Sequence, residues 1–197
     1  MNKPFCIIVS GRPGSGKTTL AKKLGIGLHL PVLSRDEVKE GYVVTSGKVH
    51  NQLPDGANWK ATETFFKTTH IMIESGVSVV IEAAFQHKVW SMAIPEFMSI
   101  ARVRIVTCDL DPALSAKRHL ERGLNDPSRE YFHGDLRVKH FRETGEFLEP
   151  DDYIPPDFDC PTYHTDTEDG YSPPIEDIVA WLDMDVAYPI AGGGDTR

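Results

Sequence analysis

The segment Gly11-Arg12-Pro13-Gly14-Ser15-Gly16-Lys17-Thr18 fits the pattern G-x-x-x-x-G-K-[ST], and no other feature constrains the chain as much. Its glycines let backbone N–H groups turn inward with no Cβ between them and an anion. The pattern functions between a buried strand and a helix, because the helix N-terminus adds its dipole to the amides. Both flanks are present. Phe5-Cys6-Ile7-Ile8-Val9-Ser10 is a continuous apolar run of strand length, the mark of a strand covered on both faces. From Gly16 to about Leu28 the residues Leu20, Leu24 and Leu28 form a helical stripe, with Lys22 and Lys23 outside it. The loop is expected to hold the triphosphate of Mg-ATP among Gly11, Pro13, Gly14, Ser15, Gly16, Lys17, Thr18 and Thr19. In that arrangement Lys17 reaches the β- and γ-phosphates and the Thr18 hydroxyl completes the shell of a partly hydrated Mg²⁺.

The rest of the chain alternates in the same way. Pro31-Val32-Leu33 reads as a short strand, and Ser34-Arg35-Asp36-Glu37 as a capping box opening a helix. Val43 to Ala57 reads as a surface loop. Trp59, Phe66 and Ile73, with Thr62, Phe65, Thr69 and Met72 beside them, predict an amphipathic helix ending near Gly76. Val77 to Glu82 and Val103 to Cys108 predict buried strands on either side of a helix from about His87 to Ala101. Asp111-Pro112 starts another helix. Phe158 to Thr165 supplies a last strand, Ser172-Pro173-Pro174 a closing helix to about Val186, and residues 190–197 a frayed tail. Strands alternating with helices imply one parallel sheet with helices on both faces.

Composition narrows the function classes. The 197 residues suit a single domain spanning 1–197, and the net charge of -8 opposes a general nucleic-acid binder. Cys6, Cys108 and Cys160 lie in apolar stretches without CxxC spacing, as reduced thiols of a cytoplasmic protein do. No segment approaches membrane-spanning length. Charge is uneven: Lys117 to Arg142 is basic, and no Lys or Arg follows until Arg197. The acid-rich stretch from Glu143 reads as a solvated surface balancing the basic one.

The order of strand, Gly-x-x-Gly-Ser-Gly-Lys-Thr-Thr, helix, short strand and Ser-Arg-Asp-Glu resembles the P-loop kinases. Within them it is most similar to polynucleotide 5′-kinases, zeta-toxin-type sugar-nucleotide kinases and chloramphenicol phosphotransferase. The likeness is sharp over residues 5 to 40, looser to about His133 and weak elsewhere. It implies a P-loop NTPase three-layer α/β/α sandwich, with about five parallel strands in the order 2-3-1-4-5 and a small helical lid near 122–140.

The resemblance also implies roles. Asp36 matches the residue that faces the γ-phosphate and accepts the proton of the attacking hydroxyl, although a first-turn acid also complements the helix dipole. Glu82 stands where such proteins usually carry an Asp that holds Mg²⁺ through water. The longer side chain leaves open Mg²⁺, the acceptor side or a plain strand-end carboxylate. Arg118 and Arg122 share a helix face, with Arg129 in the following loop from Gly123 to Tyr131. As lid arginines they would stack near adenine (Arg118) and clamp the phosphates (Arg122, Arg129). His133 belongs beside the lid, and Asp166-Thr167 resembles the turn next to the adenine. Arg35 reads as an exposed helix-start arginine, with an anionic group on the acceptor as its other possible partner.

These residues predict an ATP-dependent kinase acting on a hydroxyl of a small molecule, its pocket lined by Val43 to Trp59 and the neighbourhood of Phe85 to Trp90. A polynucleotide 5′-hydroxyl kinase and a nucleotide-dependent ATPase or switch stay open beside it, and the oligomeric state is not encoded in any readable pattern. No Asn-Lys-x-Asp guanine signature is present.

Overall fold

The computed structural model describes residues 2–182. Five strands form one sheet: β1 (Phe5–Gly11), β2 (Val32–Ser34), β3 (Val79–Ala83), β4 (Arg102–Asp109) and β5 (Thr162–Asp166). All neighbours are parallel, in the order β2-β3-β1-β4-β5. This is the expected kinase-like order and three-layer α/β architecture.

Every residue of β1 and β3 is buried, because each strand carries apolar side chains on both faces. Cys6, Ile8, Val79, Ile81 and Ile105 point to one core, packed by Phe65 of α3 (Ala57–Glu74), Trp90 of α4 (His87–Trp90) and Phe97 of α5 (Ile94–Ile100). Ile7, Val9, Val80 and Val106 point to the other, packed by Leu20 and Leu24 of α1 (Lys17–Leu28) and Ile178 of α9 (Ile175–Trp181). Each fully buried side chain of this kind contributes about 1.5–3 kcal/mol, so the two cores fix which strand ends meet at the cleft. Burial pushes the Cys6 and Cys108 thiols up to about 12, so both behave as core residues.

Several boundaries differ from those the sequence suggests. Helix α2 (Arg35–Ser46) runs on through Val43, which is fully buried, and closes only at Gly47 with φ 65°; the expected loop is therefore shorter and holds a 3₁₀ turn at His50–Gln52. In α3 the buried stripe is Ala61, Phe65 and Thr69, whereas Trp59 is exposed and donates from Nε1 to Glu63 at 2.9 Å. The helix expected from His87 to Ala101 breaks into α4 and α5. Pro95 in the first turn of α5 has no N–H to give, and its ring excludes a helical carbonyl at Ser91. The last strand begins at Thr162 because Pro161 cannot donate to the ladder.

The expected loop from Gly123 to Tyr131 is mostly helical. Helix α6 (Pro112–Asn125), capped by Asp111, reaches Asn125 because Gly123 leaves room for Val138 of α8 (Leu136–Thr144); a Cβ there would come within 2.4 Å of Val138 Cγ2. Arg129 lies on α7 (Pro127–His133), which packs against α2. The closing helix beyond Leu182 and the tail at 190–197 lie outside the described residues.

Candidate active site

Parallel strands bring their C-terminal ends to one edge, where ligands of open α/β sheets bind. At that edge the chain builds a cleft of about 520 Å³, within the usual range for small-molecule sites. Its lining includes Arg12, Pro13 and Lys17 from the loop after β1, Arg35, Asp36 and Lys39 from α2, and Arg122, Arg129 and His133 from α6 and α7.

The phosphate loop has the geometry its sequence requires. Gly14 and Gly16 take φ 92° and 80°, conformations that L side chains rarely adopt. A Cβ on Gly14 would fall 2.1 Å from the Ser115 carbonyl oxygen, since α6 presses on the loop and Ser115 Oγ donates to Pro13 O at 2.8 Å. On Gly16 a Cβ would meet nothing within 4 Å, so this residue faces open space. Helix α1 starts there. Like α3 and α4 it has no side-chain cap and no acid in its first turn, but it opens directly from the glycine loop at the cleft. Its first N–H groups are thus open to an anion. Ser15 Oγ is buried without a hydrogen-bond partner, and Lys17 is 8% exposed with no hydrogen bond or ion pair among the described residues. Buried donors without partners fit a phosphate-holding loop.

Register places the acid. Ser34 and Val9 both pair with Glu82, whose carboxylate is 2% exposed. Glu82 Oε1 accepts from Ser34 Oγ at 2.5 Å and from Thr18 Oγ1 at 3.2 Å. Two hydroxyls leave a buried carboxylate short of positive charge. Glu82 Oε1 thus lies between Thr18 at the start of α1 and Ser34 at the start of α2, and the Thr18–Glu82 pair has the oxygen donors that a divalent cation takes.

Asp36 opens α2 on that facing wall. Burial alone would raise its carboxyl, but His133, Lys17, Arg35 and Arg129 outweigh burial and hold it below the usual carboxylate range. Arg129 Nη2 stands 4.0 Å from Asp36 Oδ2 and Arg35 Nη1 3.4 Å from Oδ1. Arg35 is not the exposed helix-start arginine that the sequence suggested. Its side chain is only 15% exposed, lines the cleft and donates to Asn58 O at 2.9 Å. The reason is α3, whose first turn covers α2 from the side.

Of the lid arginines, Arg122 and Arg129 reach the cleft, and Arg118 does not. Arg118 donates to Thr167 O at 2.9 Å and Glu168 O at 2.6 Å, which ties α6 to the turn after β5. Asp166-Thr167 is that turn, anchored on Asp109 O. His133 Nε2 pairs with Glu40 at 2.9 Å and borders the cleft.

Sequence reasoning missed Lys39, Tyr153 and the partners of Arg12. Lys39 was readable, one turn beyond Arg35 on the same helix face. The Pro150–Tyr153 segment was not, because the acid-rich stretch carries no periodicity. It borders the cleft while its acids stay solvated as expected, the Asp151 side chain being 92% exposed: Arg12 donates to Asp151 O at 2.7 Å, Arg137 pairs with Asp151 at 3.0 Å, and Tyr153 Oη meets Ser10 Oγ at 2.9 Å. Of the segments expected to line the pocket, Val43 to Trp59 supplies Asn58 and Phe85 to Trp90 supplies Gln86.

A phosphate loop after the central strand, an acid on the adjoining strand and the order 2-3-1-4-5 give the chain the α/β fold seen in P-loop kinases. More narrowly, residues 6–139 match the family described as an AAA domain, and the chain belongs to that family. A provisionally named adenylate kinase of Saccharolobus islandicus is 33% identical over 82 residues, 35% of this chain, and the match spans only 39% of that relative's length. A provisionally named kinase from Chloroflexus aurantiacus superposes with a TM-score of 0.71 at 24% identity, covering 92% of this chain and 97% of that one. The Mycobacterium tuberculosis APS kinase in complex with AMPPNP and APS gives a TM-score of 0.60 at 13% identity, covering 93% and 100%. These structural likenesses establish the fold. No helix among the described residues is long and apolar enough to cross a membrane.

Proposed function

We propose that the protein is an ATP-dependent kinase that transfers the γ-phosphoryl group of Mg-ATP to a hydroxyl of a small molecule. The observation that carries this reading is the placement of Asp36, in the same cleft as Lys17 and kept ionised by the cations around it. A carboxylate there can orient a hydroxyl or a water, so the dependence of turnover on an acceptor is what separates a kinase from an ATPase.

In this reading the backbone N–H groups from Gly11 to Thr18 and the Lys17 ammonium bind the phosphates. Thr18 and Glu82 would hold Mg²⁺, which supplies charge neutralisation on the phosphate oxygens. Asp36 orients the acceptor hydroxyl for in-line attack and takes its proton. A carboxyl with a lowered pKa is a weak base, but a loose phosphoryl-transfer transition state asks mainly for positioning. Arg122 stabilises negative charge as it moves to the leaving group, whereas Arg129, 4.0 Å from Asp36, serves the acceptor side. The helices around residues 122–140 act as the lid, and with the Pro150–Tyr153 strap they exclude water that would otherwise compete with the acceptor.

A small acceptor is supported by the half-closed cleft and by the net charge of -8, which works against a polynucleotide. The shared fold of kinases is consistent with transfer chemistry. Its test is ADP formation from Mg-ATP with a panel of sugars, small hydroxy acids, nucleosides and 5′-hydroxyl oligonucleotides. ADP should form slowly alone and accelerate with one acceptor class, one phosphorylated product per ADP. Fast, acceptor-independent hydrolysis would contradict the kinase reading, and phosphorylation of oligonucleotides alone would contradict the small acceptor.

A further inference from the structure

Resting on the kinase reading, we propose that the wall formed by α2 and α7 is a subsite for an oxyanion carried by the acceptor, held by Arg35, Lys39 and Arg129. The acceptor is then an anionic hydroxyl compound, a phosphate monoester in the best-fitting case.

Lys39 is 2% exposed yet lines the cleft, and its Nζ reaches only the His133 carbonyl, at 3.4 Å. A buried ammonium with one long hydrogen bond is a group built for a partner that is not part of the chain. Arg35 and Arg129 add two unpartnered donors. Arg35 is tied to Asn58 and Asp36 through its terminal nitrogens and Arg129 stands beside Asp36, yet the Nε atom of each is buried with no hydrogen-bond partner. Arg35 and Lys39 stand i, i+4 on α2 and share a face, and Arg129 comes to the same wall from α7.

Charge counting points to the kind of ligand. Three cations face one ionised carboxylate, Asp36, while Glu40 is taken up by His133. The surplus of two positive charges matches a dianion, and guanidinium groups recognise tetrahedral oxyanions through paired N–H donors. The phosphate loop does not need these groups, since it has its own amides and Lys17. Lys39 sits three residues beyond Asp36, roughly 4.5 Å further along the helix. The acceptor's anion therefore lies a few bonds from the hydroxyl that Asp36 orients.

Titration follows from the same geometry. Lys39 is surrounded by Arg35 and Asp36 on its own helix, His133 and Arg129 on α7, and His50 on the 3₁₀ turn. Burial, followed by the neighbouring Arg35, brings the Lys39 ammonium down to about 8. Its charge is complete below that pH and is lost above it, so oxyanion binding weakens as pH rises through about 8.

Calorimetry on the full chain, saturated with Mg-AMPPNP so that the phosphate loop is filled, tests the subsite with inorganic phosphate, sulfate and acetate as probes. One phosphate should bind per chain, more tightly than acetate and more weakly above pH 8. Lys39→Met and Arg35→Met should each weaken phosphate by about tenfold or more, with AMPPNP affinity unchanged as the check on folding, and Lys39→Arg should retain phosphate and abolish the pH dependence. Phosphate that fails to bind the AMPPNP-loaded protein, or binds both methionine variants as it binds the parent, would overturn the subsite alone. Failure of AMPPNP to bind at all would overturn the kinase reading and the subsite together.

Discussion

The phosphate loop takes its binding groups from consecutive residues, whereas the wall facing it draws Arg35, Asp36 and Lys39 from α2, Asn58 from α3 and Arg129 and His133 from α7. The first is a backbone device. Its amides do not titrate, its shape is set by Gly14 and Gly16, and of its two long side chains Lys17 is buried while Arg12 reaches out to Asp151. The second is made of side chains whose charges act on one another. Asp36 is lowered by the cations around it, and Lys39 is lowered by burial and by Arg35. A wall built from amides suits the part of the substrate that every kinase of this fold shares, the polyphosphate. A wall of side chains from separate helices can be exchanged residue by residue, which is why the proposed acceptor choice is assigned to it.

That contrast sets the size of effects. Asp36→Asn removes the proton acceptor and the carboxylate that positions the hydroxyl, so kcat should fall by about 10²–10⁴-fold with AMPPNP affinity preserved. Steady-state kinetics paired with a binding isotherm separates the two, and a loss of nucleotide affinity equal to the loss of kcat would erase the division between the walls. Glu82→Gln touches the nucleotide side instead. It should raise the Mg²⁺ concentration needed for AMPPNP binding by about 10–100-fold, read from Mg²⁺ titrations at fixed nucleotide. An unchanged Mg²⁺ requirement would move Glu82 out of the cation site.

The same division explains what the sequence made legible. From Phe5 to Thr19 every requirement is local, namely an apolar strand, glycines at defined spacing and a helix start, and the structure follows it residue by residue. Strand order was legible through the resemblance, and the cleft edge follows from it. Arg35 and Lys39 were visible as an i, i+4 pair, but their burial depends on α3 and α7 closing over α2, contacts between segments far apart in the chain. Arg118 and Arg122 share a helix face as their spacing requires, but their tips part: Arg122 lines the cleft, and Arg118 is tied to the Asp166-Thr167 turn, beside which the resemblance placed the adenine. The Pro150–Tyr153 strap has no regular structure to announce it and is fastened by Arg12 and Gln86, which reach main-chain carbonyls that no residue pattern identifies, and by Arg137, which pairs with the Asp151 carboxylate.

The account depends on a polyphosphate held by inward-turned amides and one ammonium at the end of β1. Titration of Mg-AMPPNP into the parent protein and into Lys17→Ala, with circular dichroism to confirm that both are folded, addresses this most directly. The parent should bind one nucleotide per chain, and the variant should bind it about 10–100-fold more weakly, as loss of a charged hydrogen-bond donor entails. Equal affinity in two folded proteins would contradict the account.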